Sequence, residues 1–371
     1  MIDTKSFYDY LLLNKLDFFA GVPDSLLKNF CACITENSPS KQNIITANEG
    51  NAVAMCAGYH VSTGKYGVVY MQNSGEGNAV NPLMSLTDPD VYSIPLLLII
   101  GWRGEPGVHD EPQHVKQGKV TLALLEAMGI KYQILSDSYQ NQIDDAITYM
   151  KKNNAPYALV VHKGTFSPYA FAIEPSNYKI TREDALKEIL TDINDQDFIV
   201  STTGKTSREI FEIRESRHQD HSNDFLTVGS MGHTASIAYG IALGTKKNVW
   251  CIDGDGSFIM HMGGLGVICS KMVSNFKYII NVNNAHESVG GQPTCSSSLD
   301  IPKILIGLGF KKVIVAENQQ QIKAGIKELY NHESYALVLH TKQGSRDNLG
   351  RPTTTPVENK TAMMKKLGSL K

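Results

Sequence analysis

A short run, Gly254-Asp255-Gly256-Ser257, directly follows the apolar stretch Val249–Ile252. Glycines let a backbone turn tightly and approach a ligand closely. A carboxylate at the C-terminal end of a strand is well placed to hold a hard metal ion. The spacing predicts a helix over Phe258–Gly266, whose N-terminus can face a phosphate. A second apolar stretch, Lys277–Val282, runs into Asn283-Asn284-Ala285-His286-Glu287, and 283 − 255 = 28 residues separate Asp255 from Asn283. A tight strand–helix turn would account for the first run alone. The pair puts two oxygen ligands on one sheet edge, a set that suits Mg²⁺ completed by diphosphate oxygens. Neither GxxxxGK[ST] nor GxGxxG occurs at these glycines, which argues against a nucleotide or dinucleotide site.

These residues need strands that end on a common edge, and the chain supplies them twice. Asp17–Gly21 enters Val22-Pro23-Asp24-Ser25, and Asp197–Ser201 enters Thr202-Thr203-Gly204-Lys205, an offset of 197 − 17 = 180. A small-residue helix, Asn51–Tyr59, leads to the strand Tyr66–Met71 and then Gly75-Glu76-Gly77. Its echo is the helix Thr234–Leu243, the strand Asn248–Ile252 and Gly254-Asp255-Gly256, at 254 − 75 = 179. Tyr157-Ala-Leu-Val-Val-His162 returns as Tyr335-Ala-Leu-Val-Leu-His340, at 335 − 157 = 178. Short β-branched strands alternate with helical patterns in both halves, which predicts parallel sheets covered on both faces. Continuous apolar runs such as Leu96–Ile100 and Tyr278–Ile280 fit strands buried on both sides. The expected fold is α/β: two similar doubly wound parallel-sheet domains, residues 1–170 and 180–371, with no middle domain. The linker is expected near Gly164–Lys179, where Pro168 and Pro175 break the pattern. A helix should start at Thr181, and a short one is expected over Thr361–Leu367.

Composition narrows the function. Hydrophobic residues are 42% of 371, enough for a core and too many for a disordered chain. The net charge, 35 − 37 = −2, with no basic tail, argues against nucleic acid or an anionic membrane surface as partner. No apolar run approaches the ~20 residues that span a bilayer. The N-terminus has no basic region before an apolar one, so a cytoplasmic location is expected. Six scattered cysteines without a CxxC pair suggest buried thiols rather than disulfides or zinc.

GDGS followed by Asn283-Asn284 resembles the binding motif of thiamine diphosphate enzymes. The duplicated layout is similar to the pyrimidine-binding and diphosphate-binding domains of that superfamily. Further segments resemble the phosphonopyruvate decarboxylases and their sulfopyruvate decarboxylase relatives: Gly21–Ser25, Ala47–Ala52, Gln72–Asn78, Asp110–His114 and Ala285–Thr294. The resemblance covers nearly the whole chain. It implies a non-oxidative decarboxylase of a small 2-oxo acid bearing a second anionic group. It also implies a cofactor bridging domains of different chains, hence a homodimer or larger, with active sites at the chain interface.

Roles follow by resemblance. Glu49 matches the glutamate that hydrogen-bonds the pyrimidine ring of the cofactor. Met231 resembles the apolar wedge that bends it, and the Gly229 carbonyl would accept from its amino group. Thr202, Thr203, Gly254, Gly256 and Ser257 would hold the diphosphate. Asp255 is the expected Mg²⁺ ligand. Asn283 and Asn284 are adjacent, so either could present the amide; the subfamily pattern favours Asn283, with the Ala285 carbonyl two residues on. Asp24 resembles an acid that relays a proton to the product, with His109 and His114 setting its protonation. Ser25, Arg103, His109, Glu287 and Ser288 are the substrate candidates, with Lys116 as a further cation. The implied products from 3-phosphonopyruvate are phosphonoacetaldehyde and CO₂. The implied alternative is sulfopyruvate giving sulfoacetaldehyde.

Overall fold

In a computed structural model of the chain, residues 1–172 and 176–370 are described. Pro175, one of the two prolines of the expected linker, lies outside them. The chain divides into one unit of Met1–Ile173 with Ser288–Pro293, and a second of Glu174–Glu287 with Thr294–Lys371.

The first unit is built on six strands, β1 (Phe19–Gly21), β2 (Asn43–Ile45), β3 (Val68–Gln72), β4 (Leu97–Gly101), β5 (Lys131–Ile134) and β6 (Tyr157–Val161). They form one sheet in the order β2-β1-β3-β4-β6-β5, and every neighbouring pair is parallel. The second unit holds β7 (Phe198–Ser201), β8 (Asp224–Leu226), β9 (Val249–Gly254), β10 (Phe276–Val282), β11 (Lys312–Ala316) and β12 (Tyr335–His340). Its sheet reads β8-β7-β9-β10-β12-β11, again all parallel. Adding six to each strand of the first sheet gives the second, so the sequence echo is a repeat of topology.

Parallel strands need crossovers, and helices on both faces bury each sheet. Strand β4 shows the result: Leu97 and Ile99 join one core with Phe7, Phe19 and Phe30. Leu98 and Ile100, the alternate residues, join another with Ala52 and Val53. Strand β10 divides in the same way, with Tyr278 and Ile280 on one side and Ile279 on the other. Ligands of such sheets bind beyond the carboxyl ends of the strands. Gly21–Asp24, Gln72–Asn78, Ser201–Lys205 and Gly254–Gly256 all leave strands at those ends.

Local signals place several helices as expected. Thr181 caps the helix Arg182–Asp192 by accepting from the Asp184 amide. The helix Thr234–Leu243 has its expected limits, and the C-terminal one is longer than expected, Pro356–Lys366. The helix expected over Phe258–Gly266 is instead two, Asp255–Met260 and Gly263–Ser270, interrupted at His261 and Met262. The Gly263-Gly264 pair beside the break weakens helix propagation.

A buried ion pair ties the second unit together. Arg214, on the helix Lys205–Ser216, grips Asp224 of β8 through Nε and Nη2, both at 3.0 Å. Removing one partner strands a charge away from water. Arg214→Leu should therefore destabilise the fold by about 3–5 kcal/mol, read by urea titration. A loss below about 1 kcal/mol would show that the pair contributes little.

Candidate active site

Two groups of buried carboxylates form at these sheet edges, one in each unit. In the first unit, the Asn48 side chain caps the helix Glu49–Thr63 by accepting from the Asn51 amide at 3.1 Å. Glu49 is thereby the first helical residue and is buried. Asn78 Nδ2 donates to its Oε2 at 2.7 Å. A Cβ on Gly75 would lie 2.3 Å from Glu49 Oε1, so any larger residue there must displace this carboxyl. Burial raises its pKa, against the opposing Asn78 bond, and so favours holding a proton.

Asp24 is fully buried beyond β1. Its Oδ2 accepts from the amides of Leu26 and Leu27 at 3.1 and 3.3 Å. A Cβ on Gly101, at the end of β4, would fall 2.0 Å from the same oxygen. Burial pushes the Asp24 pKa up to about 6, restrained by the positive charge of Arg103 and by the amides.

Arg103 is not the free anion-binding cation that the sequence suggests. Its Nε donates to Asp110 Oδ2 at 2.7 Å and its Nη2 to Asp110 Oδ1. Its Nη1 donates to Ser25 Oγ at 2.6 Å. Burial opposes ionisation of Asp110, yet the bonds from Arg103 and the Gly104 amide hold its pKa at about 2. Asp24, Ser25, Arg103 and Asp110 therefore form one network. Burial and Arg103, rather than the histidines, dominate Asp24. His114 is buried, its Nδ1 has no hydrogen-bond partner among the described residues, and burial followed by the Arg103 charge lowers its pKa. His109 and Lys116 are exposed.

In the second unit, Asp255 is buried at the end of β9. Its Oδ1 accepts from the Gly256 amide at 2.9 Å. Its Oδ2 accepts from the Asn284 amide and Thr294 Oγ1, both at 2.9 Å, and from Ser296 Oγ at 2.7 Å. Asn284 has φ of 60°, and its amide oxygen lies 2.7 Å from the same Ser296 hydroxyl, whose single hydrogen serves one of the two acceptors at a time. Asn283 is buried, and its Oδ1 accepts from the Ala285 amide at a long 3.2 Å. Among the described residues no group of three or more His, Cys, Asp or Glu could hold a metal. A metal here would meet one carboxylate plus amide and carbonyl oxygens, a hard-oxygen set that fits Mg²⁺.

The turn beside it is a cradle. A Cβ on Gly256 would lie 3.0 Å from His286 Cε1 and 3.3 Å from Met231 Cε. Met231 reaches this point from a loop bent by positive φ at Ser230 and Gly232. Ser257 Oγ accepts from the Gly232 amide at 3.1 Å, and Thr203 Oγ1 donates to the Val228 carbonyl, just before Gly229, at 2.8 Å. The loops after β7, β8 and β9 are thus laced together, with Gly254 ending β9.

Several residues escaped the sequence reading. Asp253, beneath Gly254, is buried and accepts from the Gly254 amide at 2.9 Å and Tyr278 OH at 3.2 Å. Burial raises its pKa, and the hydroxyls of Ser257 and Thr202 work in the opposite direction. These two hydroxyls were expected to serve only the diphosphate. Glu287 is withdrawn from any substrate: Arg182 Nη1 binds it at 2.5 Å while also gripping Glu209, and the Gly344 amide donates to it. Ser288 is exposed. Thr294 and Ser296, which cage Asp255, carry no sequence signal beyond the Ala285–Thr294 segment. Gly75 and Asn78 lie in the Gln72–Asn78 segment, and that segment was the signal that could have found them.

Both units match domains of thiamine pyrophosphate enzymes. Residues 4–127 match the thiamine pyrophosphate enzyme N-terminal TPP binding domain, and residues 202–339 match the C-terminal one. A phosphonopyruvate decarboxylase of Streptomyces viridochromogenes is 31% identical over 360 residues, 91% of this chain and 88% of that protein. One from Streptomyces hygroscopicus is 32% identical, over 91% of this chain and 87% of that protein. A sulfopyruvate decarboxylase of Methanosarcina acetivorans is 28% identical over 76% of each chain. The chain belongs to the phosphonopyruvate decarboxylase family of thiamine pyrophosphate enzymes.

Two outcomes test the first half-site. Gly75→Ala should displace the Glu49 carboxyl and lower kcat at least about 100-fold while the thermal midpoint stays close to wild type; an unchanged kcat would show that this contact is dispensable. Asp24 binds more protons folded than unfolded between its unfolded pKa of ~3.9 and its folded value of about 6. Its contribution to stability is therefore lost as pH rises through that window, by roughly 3 kcal/mol at most. Asp24→Asn should flatten this slope and be more stable than wild type at pH 7.5. Urea titrations at pH 4.5 and 7.5 read it, and identical slopes in both proteins would refute the titration of Asp24.

Proposed function

We propose that the chain decarboxylates 3-phosphonopyruvate to phosphonoacetaldehyde and CO₂, using thiamine diphosphate and Mg²⁺. The observation that carries this is the match to phosphonopyruvate decarboxylases along 91% of the chain. The sulfopyruvate relative matches a shorter share at lower identity. When bound, thiamine diphosphate supplies the electron sink that lets the carboxylate leave as CO₂.

The residues of the chain would do the rest. Residues 1–170 would bind the pyrimidine, with Glu49 holding a proton at its carboxyl for the ring nitrogen. Residues 180–371 would hold the diphosphate through Thr202, Thr203, the Gly254–Ser257 turn and Mg²⁺ on Asp255, Asn283 and the Ala285 carbonyl. The Gly229 carbonyl would take the amino group, with Met231 packed against the cofactor. Asp24 is a carboxyl with a pKa of about 6, so both protonation states are accessible near neutral pH. It would deliver the proton that replaces CO₂ on the product carbon. His114, buried on the helix Pro112–Ala127, and Ser25 would face the substrate from the same edge. Lys116, an exposed cation, and the exposed His109 would meet the second anion.

The same reading includes assembly as at least a homodimer and a cytoplasmic location. Six free thiols, four of them buried, support a reducing compartment. Light scattering on the purified protein checks the assembly.

Purified protein supplied with thiamine diphosphate and Mg²⁺ should release CO₂ from phosphonopyruvate faster than from sulfopyruvate, measured side by side. Glu49→Gln should lose most turnover, and Asp255→Asn should raise the Mg²⁺ requirement at least about tenfold. Preference for sulfopyruvate would reassign the substrate, and no CO₂ from either acid would overturn the reading.

A further inference from the structure

Asn73 follows β3 and has no part in the roles above. It is 3% exposed, and its side chain spends its bonds on another strand end. Its Nδ2 donates to the Arg103 carbonyl at 2.8 Å, and its Oδ1 accepts from the Arg103 amide at 3.1 Å. The remaining Nδ2 hydrogen goes to Thr121 Oγ1 at 2.9 Å, on the helix Pro112–Ala127. Both main-chain groups of Arg103 are thus held by one rigid amide.

The neighbouring backbone leaves no slack. A Cβ on Gly104 would lie 1.9 Å from the His114 carbonyl oxygen, and one on Gly118 would lie 1.8 Å from that of Gly104. With its main chain fixed, Arg103 has its guanidinium between Asp110 and Ser25, and its charge draws down the pKa of Asp24. A short polar side chain that pairs with both the N–H and the C=O of one residue competes for that residue's backbone bonds and braces it. Here it acts across 30 residues of sequence rather than within a turn.

We propose that Asn73 is a positioning residue for the reaction: by clamping the Arg103 main chain, it fixes where the guanidinium meets Asp110 and Ser25. This rests on the reading of Asp24 and Ser25 as groups that face the substrate. Asn73 touches neither substrate nor cofactor and acts only through Arg103.

The test uses full-length wild type, Asn73→Ala, Asn73→Asp, Arg103→Gln and the Asn73→Ala/Arg103→Gln double variant. With thiamine diphosphate and Mg²⁺, Asn73→Ala should lower kcat/KM for phosphonopyruvate about tenfold to hundredfold. The double variant should be no worse than Arg103→Gln within about twofold, because the two act in series. The thiamine diphosphate concentration for half-maximal activity should stay within about threefold of wild type. Multiplicative losses in the double variant, or a parallel loss of cofactor affinity, would mean a merely structural role and overturn the proposal. Hydrogen exchange on the cofactor-free proteins reads the clamp itself. The peptide containing Arg103 should exchange faster in Asn73→Ala, and by less in Asn73→Asp, which keeps the acceptor. Unchanged exchange in both overturns the clamp. A wild type inactive on phosphonopyruvate would instead overturn the functional reading, and exchange would still decide the clamp.

Discussion

A carboxylate taken out of water must find donors or give up its charge. Both units of this chain are arranged around that constraint. Asp24, Glu49 and Asp255 are buried beyond the carboxyl ends of strands, and Asp253 is buried one residue inside the end of β9. None is paired directly with a cation in an ion pair of the kind that joins Arg214 to Asp224. They are held by amides and hydroxyls: Leu26 and Leu27 for Asp24, Asn78 for Glu49, and Gly256, Asn284, Thr294 and Ser296 for Asp255. Such donors are neutral, so they stabilise the charge without cancelling it. Burial still wins and raises each pKa. At Asp24 the result is a pKa of about 6, which suits a group that moves a proton near neutral pH.

Close approach is the second half of the same design. Glycines at 75, 101 and 256 stand where a Cβ would meet Glu49, Asp24 or the His286–Met231 pair. The parallel sheets make this possible, because every strand delivers its loop to the same edge. Cationic residues are then used as organisers. Arg103 is neutralised by Asp110, and Arg182 by Glu209 and Glu287. His109 and Lys116, by contrast, are exposed.

Much of the fold was readable from local pattern. The offsets of 178–180 residues anticipated two sheets whose strand orders coincide on adding six. Thr181 announced its helix because capping depends on residues three apart. The split of the helix expected over Phe258–Gly266 was missed, because the break depends on how the segment packs beyond the glycine pair. In the site, motif residues such as Glu49 and Asp255 stood out by type and position. Their supports did not: Asn73 reaches Arg103 across 30 residues, and Arg182 reaches Glu287 across 105.

The sequence alone determined the α/β class, the duplication, and which acids and glycines sit at strand ends, because these follow from short-range periodicity and from the residue types that turns require. Tertiary structure decided which of the charged candidates are free. Glu287 is consumed by Arg182, Arg103 is shared between Asp110 and Ser25, and Asp253 became a buried partner of the Gly254–Ser257 turn. The physical reason is that ionisation and availability depend on burial and on donors brought from distant strands. Neither is encoded in the spacing of neighbouring residues.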